Sequence, residues 1–516
     1  MLRQNTYKKG LLWLLLLNVI ARGITFGLGI ILAKNFLPAE TDIYLYVWSL
    51  ISIVSVIISQ VNLMVAGPAY ITLIEKKEDK QAADLCSAFF NIYTAILSVL
   101  AVMIVAAPLF AYGSISGFTD AQLEPFAPML RISGIWLAIT ILNTVIGNIF
   151  LSRKYFVVYM LGQVIASVIA ILLILLLKQE FGVDSFFIGQ LVGNLVCFIF
   201  YLVLLQKKLN QQIRLFYFSI PVKTVKEIGA VLAVSIPTVV VNLLLVYYLS
   251  HFSTGQLSAY SYGSAIANLP DAIFLSQFIS IFGVKFAEVA AKDEKVTLFS
   301  TFRFFGNHLF FFMAGIAVVL SLGGFLFIQF LYGRQHLGNE IFESAVLSLS
   351  LLAAALPFKS LDVLNNRLFA SLQALSSLVK YTLPVKLFNI GLLVLMANSF
   401  GFKGVLWHQL LMPAVVVLVQ IALLGKFFPA NKIKKYFTQI LGLLCLSVLV
   451  YVAGYFLVKQ FMEHVNPYLL MLGICLMVLL AGYLVEKLFR LTTFNRLLWD
   501  KGTLLWNKLF RTKAPA

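Results

Sequence analysis

The chain has 516 residues, 61% of them hydrophobic and only 12% charged, with a formal net charge of +18 and a mean hydropathy of +0.95. A soluble domain carries about 25% charged residues, and no set of soluble cores could hide so much apolar surface, so the chain must use lipid as its solvent. Disorder, a nucleic-acid-binding domain and a secreted disulfide scaffold are thereby excluded.

A spanning helix needs roughly 20 apolar residues. Fourteen runs meet that requirement, at residues 11–35, 43–66, 85–111, 126–151, 155–177, 184–206, 228–250, 259–284, 304–331, 344–370, 378–399, 402–425, 437–458 and 467–485. The first follows the basic residues Arg3, Lys8 and Lys9 but outlasts the h-region of a signal peptide, so it reads as a retained helix. Arg22 sits in its middle, too deep to reach either surface, and ionisable residues inside spanning helices are costly and functional by default. It faces either a central hydrated cavity or a structural partner. Asp42 opens the second run, where it serves either the helix dipole or a site. Arg131 lies near the end of the fourth, within snorkelling reach of the surface.

Residues 207–226 form the longest polar stretch between runs and read as a linker. The seventh run carries Pro237 within Ser235–Thr238 and ends with Asn242, Tyr247 and Tyr248. The eighth carries Asn268, Pro270 and Asp271. Prolines kink such helices, and broken helices are where transporters place sites and hinges, so Pro237 and Pro270 are hinge candidates. Lys285 and Glu288 form either a gate pair or an interfacial i,i+3 pair. Lys359, Asp362, Arg367 and Lys386 follow in the tenth and eleventh runs, paired with one another or reaching headgroups. The tail from 487 is basic and includes Trp499 and Trp506, and it reads either as an amphipathic segment on the membrane surface or as a solvated tail.

The charge is distributed one-sidedly. Lys76, Lys77, Lys80, Arg153, Lys154, Lys207, Lys208, Arg214, Lys292, Lys295, Lys432, Lys434 and Lys435 all fall in loops on the side of the termini. The opposite loops hold little beyond Lys34, Lys178, Arg334, Lys403 and Lys459. This is the positive-inside bias, and it places both termini in the cytoplasm of a bacterial-type inner membrane.

The sequence echoes itself across the linker. Phe181–Leu191 resembles Phe400–Leu410, and Val145–Phe150 resembles Leu364–Phe369, both at a shift of 219. Asp42–Tyr46 resembles Ser258–Tyr262 at a shift of 216. The echo joins the second run to the eighth and the sixth to the twelfth, so the repeat keeps its orientation in the membrane. The expected fold is therefore all-α and polytopic, with two parallel-repeat six-helix lobes and two further helices. The boundaries are an N-lobe at 1–206, the linker at 207–226, a C-lobe at 227–426, two extra helices at 427–486 and the basic tail at 487–516.

Reactive chemistry is not indicated. There is no P-loop and no H-E-x-x-H, the five histidines are scattered, and Cys86, Cys197, Cys445 and Cys475 lie inside apolar runs without metal or disulfide spacing. An enzyme is not expected, nor a bound cofactor or metal. A coupling ion, Na⁺ or H⁺, remains compatible with a rocking mechanism.

Four stretches carry a resemblance. Arg22–Ala33, Thr41–Tyr46 and Gly67–Glu75 resemble the start of the MurJ/MviN lipid II flippases, and Tyr260–Pro270 resembles the tyrosine-rich eighth helix of that family. The resemblance implies a flippase that moves a polyprenyl-pyrophosphate-linked saccharide across the cytoplasmic membrane by alternating access. It implies phosphate attraction at Arg22, a charged position at Asp42, sugar contacts at Tyr44, Tyr262 and Asn268, and a lipid-tail groove at 427–486, with Asp271 a further substrate-binding candidate. Where the family pattern has further arginines, this chain has Leu28, a position near Ser55, and Ala265, and Asn268 stands in place of an acid. Either the substrate differs or other cations such as Arg131 or Lys386 substitute. The partners implied are a lipid-linked saccharide and the bilayer, with no nucleic acid. The rival readings are a cation-coupled multidrug and toxin extrusion exporter of small amphiphiles, and a scaffold without a transport site.

Overall fold

The computed structural model describes residues 7–489 except 154, 210–212, 276–285, 287–288, 291–294, 373–374 and 462–464. Among the described residues every regular element is helical. The principal helices are α1 (Tyr7–Asn35), α2 (Pro38–Val61), α3 (Gly67–Glu75), α4 (Asp79–Ala106), α5 (Ala127–Ser152), α6 (Phe156–Phe181), α7 (Asp184–Leu209), α8 (Val222–His251) and α9 (Gln256–Ala267). They continue with α10 (Lys295–Leu322), α11 (Asn339–Ala354), α12 (Leu356–Ser371), α13 (Leu375–Leu424), α14 (Ala430–Phe461) and α15 (Pro467–Phe489).

Ten of the described helical stretches are long and apolar enough to cross a membrane, or eleven with the bent α8 counted as one span. The fourteen runs exceed that count for physical reasons. Helix α13 holds two runs, broken at Gly401. The eighth run enters residues outside the described set, as do Lys285, Glu288 and the tail beyond 489. The apolar part of α15 narrows to Leu469–Ala481.

Contacts group the chain into two compact units. The first takes the described residues up to Ala265 with Phe330–Ser348 and Val379–His408. Its helices start and stop for local reasons. Pro38 fills the first turn of α2, where no N–H is needed, and the Glu40 carboxylate accepts the Leu37 N–H at 3.0 Å. Pro68 cannot continue a regular helix because it lacks a donor and its ring crowds the carbonyl four residues back. The chain answers with a π-turn over Asn62–Ala66, which lets α2 run on into α3. Helices α6 and α7 approach closely along small residues: Ala166 and Ala170 face Gly193 and Gly189, and Gly162, one turn before, leaves room for the Tyr201 ring. A Cβ on Gly189 would lie 2.8 Å from the Ala170 carbonyl oxygen. Such small-residue stripes are how membrane helices gain contact without a hydrophobic driving force.

Helix α8 packs along α2 in this unit. Its two segments, Thr224–Ala233 and Ser235–His251, meet at a bend of 40°. Pro237 accounts for the bend, since it has no N–H for the Ala233 carbonyl. The segment after α7 is fastened to α4: Asn91 Nδ2 donates to the carbonyls of Arg214 (2.7 Å) and Tyr217 (3.0 Å), and Arg214 pairs with Asp84 at 2.8 Å.

The second unit takes Ile266–Gln329, Leu349–Leu378 and the described residues from Gln409 on. Here α10 packs against α12 and α14 over an aromatic core of Phe299, Phe302, Phe310, Phe428 and Tyr436. A polar network crosses it. Asp362 Oδ1 accepts from Asn366 at 3.0 Å and from Gln420 at 2.5 Å, while Asn365 donates to Gln420 Oε1 at 2.8 Å. Buried polar groups of this kind must be paired, and two amides donate to Asp362.

The repeat read from the sequence reappears as backbone geometry. Gly182 has φ 53° and ψ −136°, and its match Gly401 has φ 57° and ψ −139°. That conformation is open essentially to glycine alone. Val145, Ile149 and Phe150 are buried, and so are their matches Leu364, Leu368 and Phe369.

Candidate functional site

The first unit encloses a cavity of about 430 Å³. Its wall is built from both halves of the sequence: α1, α2, α6 and α7 from the first, α8, α9 and Tyr332 from the second. The polar lining consists of Thr25, Ser49, Ser52, Ser167, Gln190, Asn242, Ser261 and Ser264, with Tyr44, Trp48, Tyr260, Tyr262 and Tyr332 as its aromatic members. Among the described residues no charged side chain lines it. The volume falls within the ~300–1,000 Å³ typical of small-molecule sites.

Each helix supplies its residues by periodicity. On α1, Thr25, Gly29 and Leu32 share a face with Leu28, as i, i+3 and i+4 spacings require. On α2, Tyr44, Trp48 and Ser52 lie one turn apart, with Ser49 beside them. The aromatic end is rigid: Tyr44 stacks near Trp136 (centroids 6.2 Å) and meets Phe186 and Phe187 edge-on. Trp48 stacks on Trp136 at 5.6 Å. Several hydroxyls have already spent their hydrogen on the helix. Thr25 donates to the Ala21 carbonyl (2.9 Å), Ser49 to Leu45 (2.7 Å) and Ser264 to Ser261 (3.0 Å). What these three offer the cavity is lone pairs.

The expected site residues separate into groups. Tyr44 and Tyr262 both line the cavity and are 6% and 3% exposed. Asp42 does not line it. Its Oδ2 accepts the Gly255 N–H at 2.5 Å, and its Oδ1 accepts the Ser258 N–H at 2.7 Å and the Ser258 hydroxyl at 2.5 Å. The carboxylate thus caps the start of α9 from the side of α2, where helix N–H groups lack intrahelical partners. The helix it serves is not its own. Gly255, at φ +91°, makes the sharp turn that aims those N–H groups at it.

Arg22 is exposed, one turn before Thr25 on the same side of α1, within electrostatic reach of Tyr159 on α6. Neighbouring Ala21 and Leu17 pack against Val157 and Met160, which fixes the orientation of this turn. Asn18, Arg22, Thr25 and Gly29 form a polar or small stripe beside the exposed Leu16, Val19 and Ile20. Arg131 is exposed on α5, and Lys386 is half-buried on α13.

Asn268, Pro270 and Asp271 belong to the second unit. Asn268 is exposed in the turn that ends α9, and Asp271 opens a π-turn over Asp271–Leu275. Asp271 lies within electrostatic reach of Lys359. Asn242 was noted at the end of the seventh run, but the cavity residues Thr25, Trp48, Ser49, Ser52 and Gln190 were not singled out from the sequence. Their signal was there: polar residues at three- and four-residue spacing inside apolar runs.

A polytopic helical bundle whose polar cavity is walled by both halves of a repeated chain defines a membrane transporter. Residues 37–479 match the family model of the lipid II flippase MurJ. The chain belongs to that family, one of transporters rather than enzymes. A search of curated proteins returns no match. Among solved structures, a lipid II flippase MurJ in an inward closed conformation superposes with a TM-score of 0.75 at 16% identity, covering 92% of this chain and 98% of that one. An inward-facing multidrug resistance transporter of the MATE family gives 0.63 at 16% identity, covering 82% and 96%. A superfamily transporter from Pyrococcus furiosus, described as having a binding pocket of reversed polarity, gives 0.58 at 14% identity, covering 82% and 97%. At these identities the structures show a shared fold.

Proposed function

We propose that this protein moves a polyprenyl-pyrophosphate-linked saccharide from the cytoplasmic to the outer leaflet of the inner membrane, with both termini in the cytoplasm. The observation that carries the reading is the cavity itself. It is polar enough for sugar, walled by both sequence halves, and continued along α1 by the exposed guanidinium of Arg22. Arg22 takes the phosphate, because its fork geometry matches phosphate oxygens bidentately. Tyr44 and Tyr262 contact the sugar, and the apolar chain stays in lipid alongside the helices. The halves 1–206 and 227–426 act as lobes, and alternating access follows from their rocking. An exporter of small cations would need a carboxylate facing its cavity. Among the described residues none lines this one, and Asp42 is held by α9.

Reconstitution into liposomes with a fluorescent undecaprenyl-pyrophosphate disaccharide, scored by protection from a membrane-impermeant quencher, tests the reading. Arg22→Ala should abolish flipping at normal expression and weaken binding roughly ten- to hundredfold, the scale of charge-assisted hydrogen bonds. Arg22→Lys should keep partial activity. Unchanged binding in a folded Arg22→Ala protein would refute the phosphate role.

A further inference from the structure

Resting on that reading, we propose that Trp48 is the platform on which a pyranose ring of the saccharide stacks inside the cavity of the first unit. Ser49 and Ser52, beside it on α2, meet the hydroxyls at the rim of that ring.

The platform is built from the back. Trp48 is half-buried and lines the cavity, whereas Trp136 on α5 is fully buried and does not. The two indoles lie nearly parallel, with 5.6 Å between centroids and an angle of 21°. Trp136 is locked in turn by Tyr44, parallel within 9° at 6.2 Å, and by Phe187, edge-on at 6.2 Å. One side of Trp48 is thus held by protein and the other is left to the cavity. A ring fixed beforehand loses little freedom when a ligand settles on it. Its surroundings are polar. Ser52 follows one turn later on α2, with Ser49 between them. The Ser49 hydroxyl donates to the Leu45 carbonyl at 2.7 Å, so it offers lone pairs to an incoming hydroxyl. Gln190 and Asn242 add amides, donors and acceptors both, to the same wall. A flat aromatic face flanked by hydroxyls and amides matches the two kinds of surface on a pyranose. Its axial C–H bonds make an apolar face with positive hydrogens, which the negative π-face attracts. Its hydroxyls project from the rim and need partners once water is gone. An indole that only filled space between helices would be fully buried, as Trp136 is.

The test uses the full chain in nanodiscs and two lipids that share one tail, undecaprenyl pyrophosphate and the same lipid bearing GlcNAc–glucose. Tail and phosphate are common to both, so the ratio of their dissociation constants reports the saccharide. Trp48→Leu keeps the position apolar but removes the flat face, and should reduce the preference for the glycolipid about three- to tenfold. Trp48→Phe keeps an aromatic face and should retain most of that preference. Tryptophan emission of the natural chain should change with the glycolipid and not with the sugar-free lipid, and Trp48→Phe should lose the change. An undiminished preference in folded Trp48→Leu overturns the inference. So does an emission change that is absent from the natural chain or undiminished in Trp48→Phe, a result that decides the matter even where the leucine variant fails to fold. Each of these leaves the flippase reading standing. If the natural chain binds the two lipids equally, the flippase reading falls first, and this inference with it.

Discussion

Replacing Asp42 with asparagine exchanges one heavy atom, an oxygen for an NH₂ nitrogen, and isolates one contact. The carboxylate receives three hydrogen bonds, one from Gly255 and two from Ser258. A carboxamide has a single acceptor oxygen. Turned toward Ser258, it places its NH₂ against the Gly255 N–H, donor to donor. Turned the other way, it forfeits both Ser258 bonds. Either orientation strands at least one buried donor, at a cost of about 1–3 kcal/mol. The loss falls on the join between α2 and the start of α9, so opening of that join should become roughly 5–150-fold more frequent. Hydrogen exchange followed by mass spectrometry reads this directly at the amides of Gly255 and Ser258. Ser258→Ala should give a smaller effect, since it removes only the hydroxyl and leaves both backbone donors paired. The Asp42→Asn protein should still insert in the membrane and flip more slowly. If it exchanges these amides at the natural rate while remaining folded, the carboxylate is not what holds the join.

Other perturbations probe the rest of the fold. Gly182→Ala and Gly401→Ala should each cost about 1–3 kcal/mol through the backbone alone, because nothing lies within 4 Å of the added methyl; a matching drop in thermal stability for the pair would show it, and unchanged melting would refute it. Ala166→Leu should wedge α6 from α7 and cost about 1–3 kcal/mol as overpacking, read as earlier detergent-induced unfolding; full stability would mean that the interface is loose. Cysteines placed at the exposed Lys77, Lys208 and Lys434 should react only with reagent on the cytoplasmic side, and one at Thr254 only from outside. The opposite pattern at any of them would invert the assigned topology.

Local chemistry in this chain was legible, and distant chemistry was not. Pro237 announces its own bend, because a missing N–H acts on the residue four positions back. Arg22 declares itself by the cost of a cation amid apolar neighbours. The echo of Phe181–Leu191 in Phe400–Leu410 pointed to the repeat, and the shared backbone angles of Gly182 and Gly401 agree with it. Asp42 was harder. Its partners stand more than two hundred residues away, and nothing in Thr41–Tyr46 tells which helix end the carboxylate will meet. The cavity wall was hidden for a related reason. Ser49, Ser52 and Asn242 are unremarkable singly, and they form a surface only when helices from different parts of the sequence are set side by side.

The contact between Asp42 and Ser258 also bears on the symmetry of the repeat. These are matched positions of the repeat, and here they touch each other. In a pair of identical subunits about a twofold axis, such positions face copies of themselves. Two aspartates would repel there, and two serines would offer no carboxylate to the helix start. An acid on one side and a hydroxyl on the other require that the two matched positions differ. The join between α2 and α9 is thus chemically asymmetric, and the two halves of this protein are not interchangeable there.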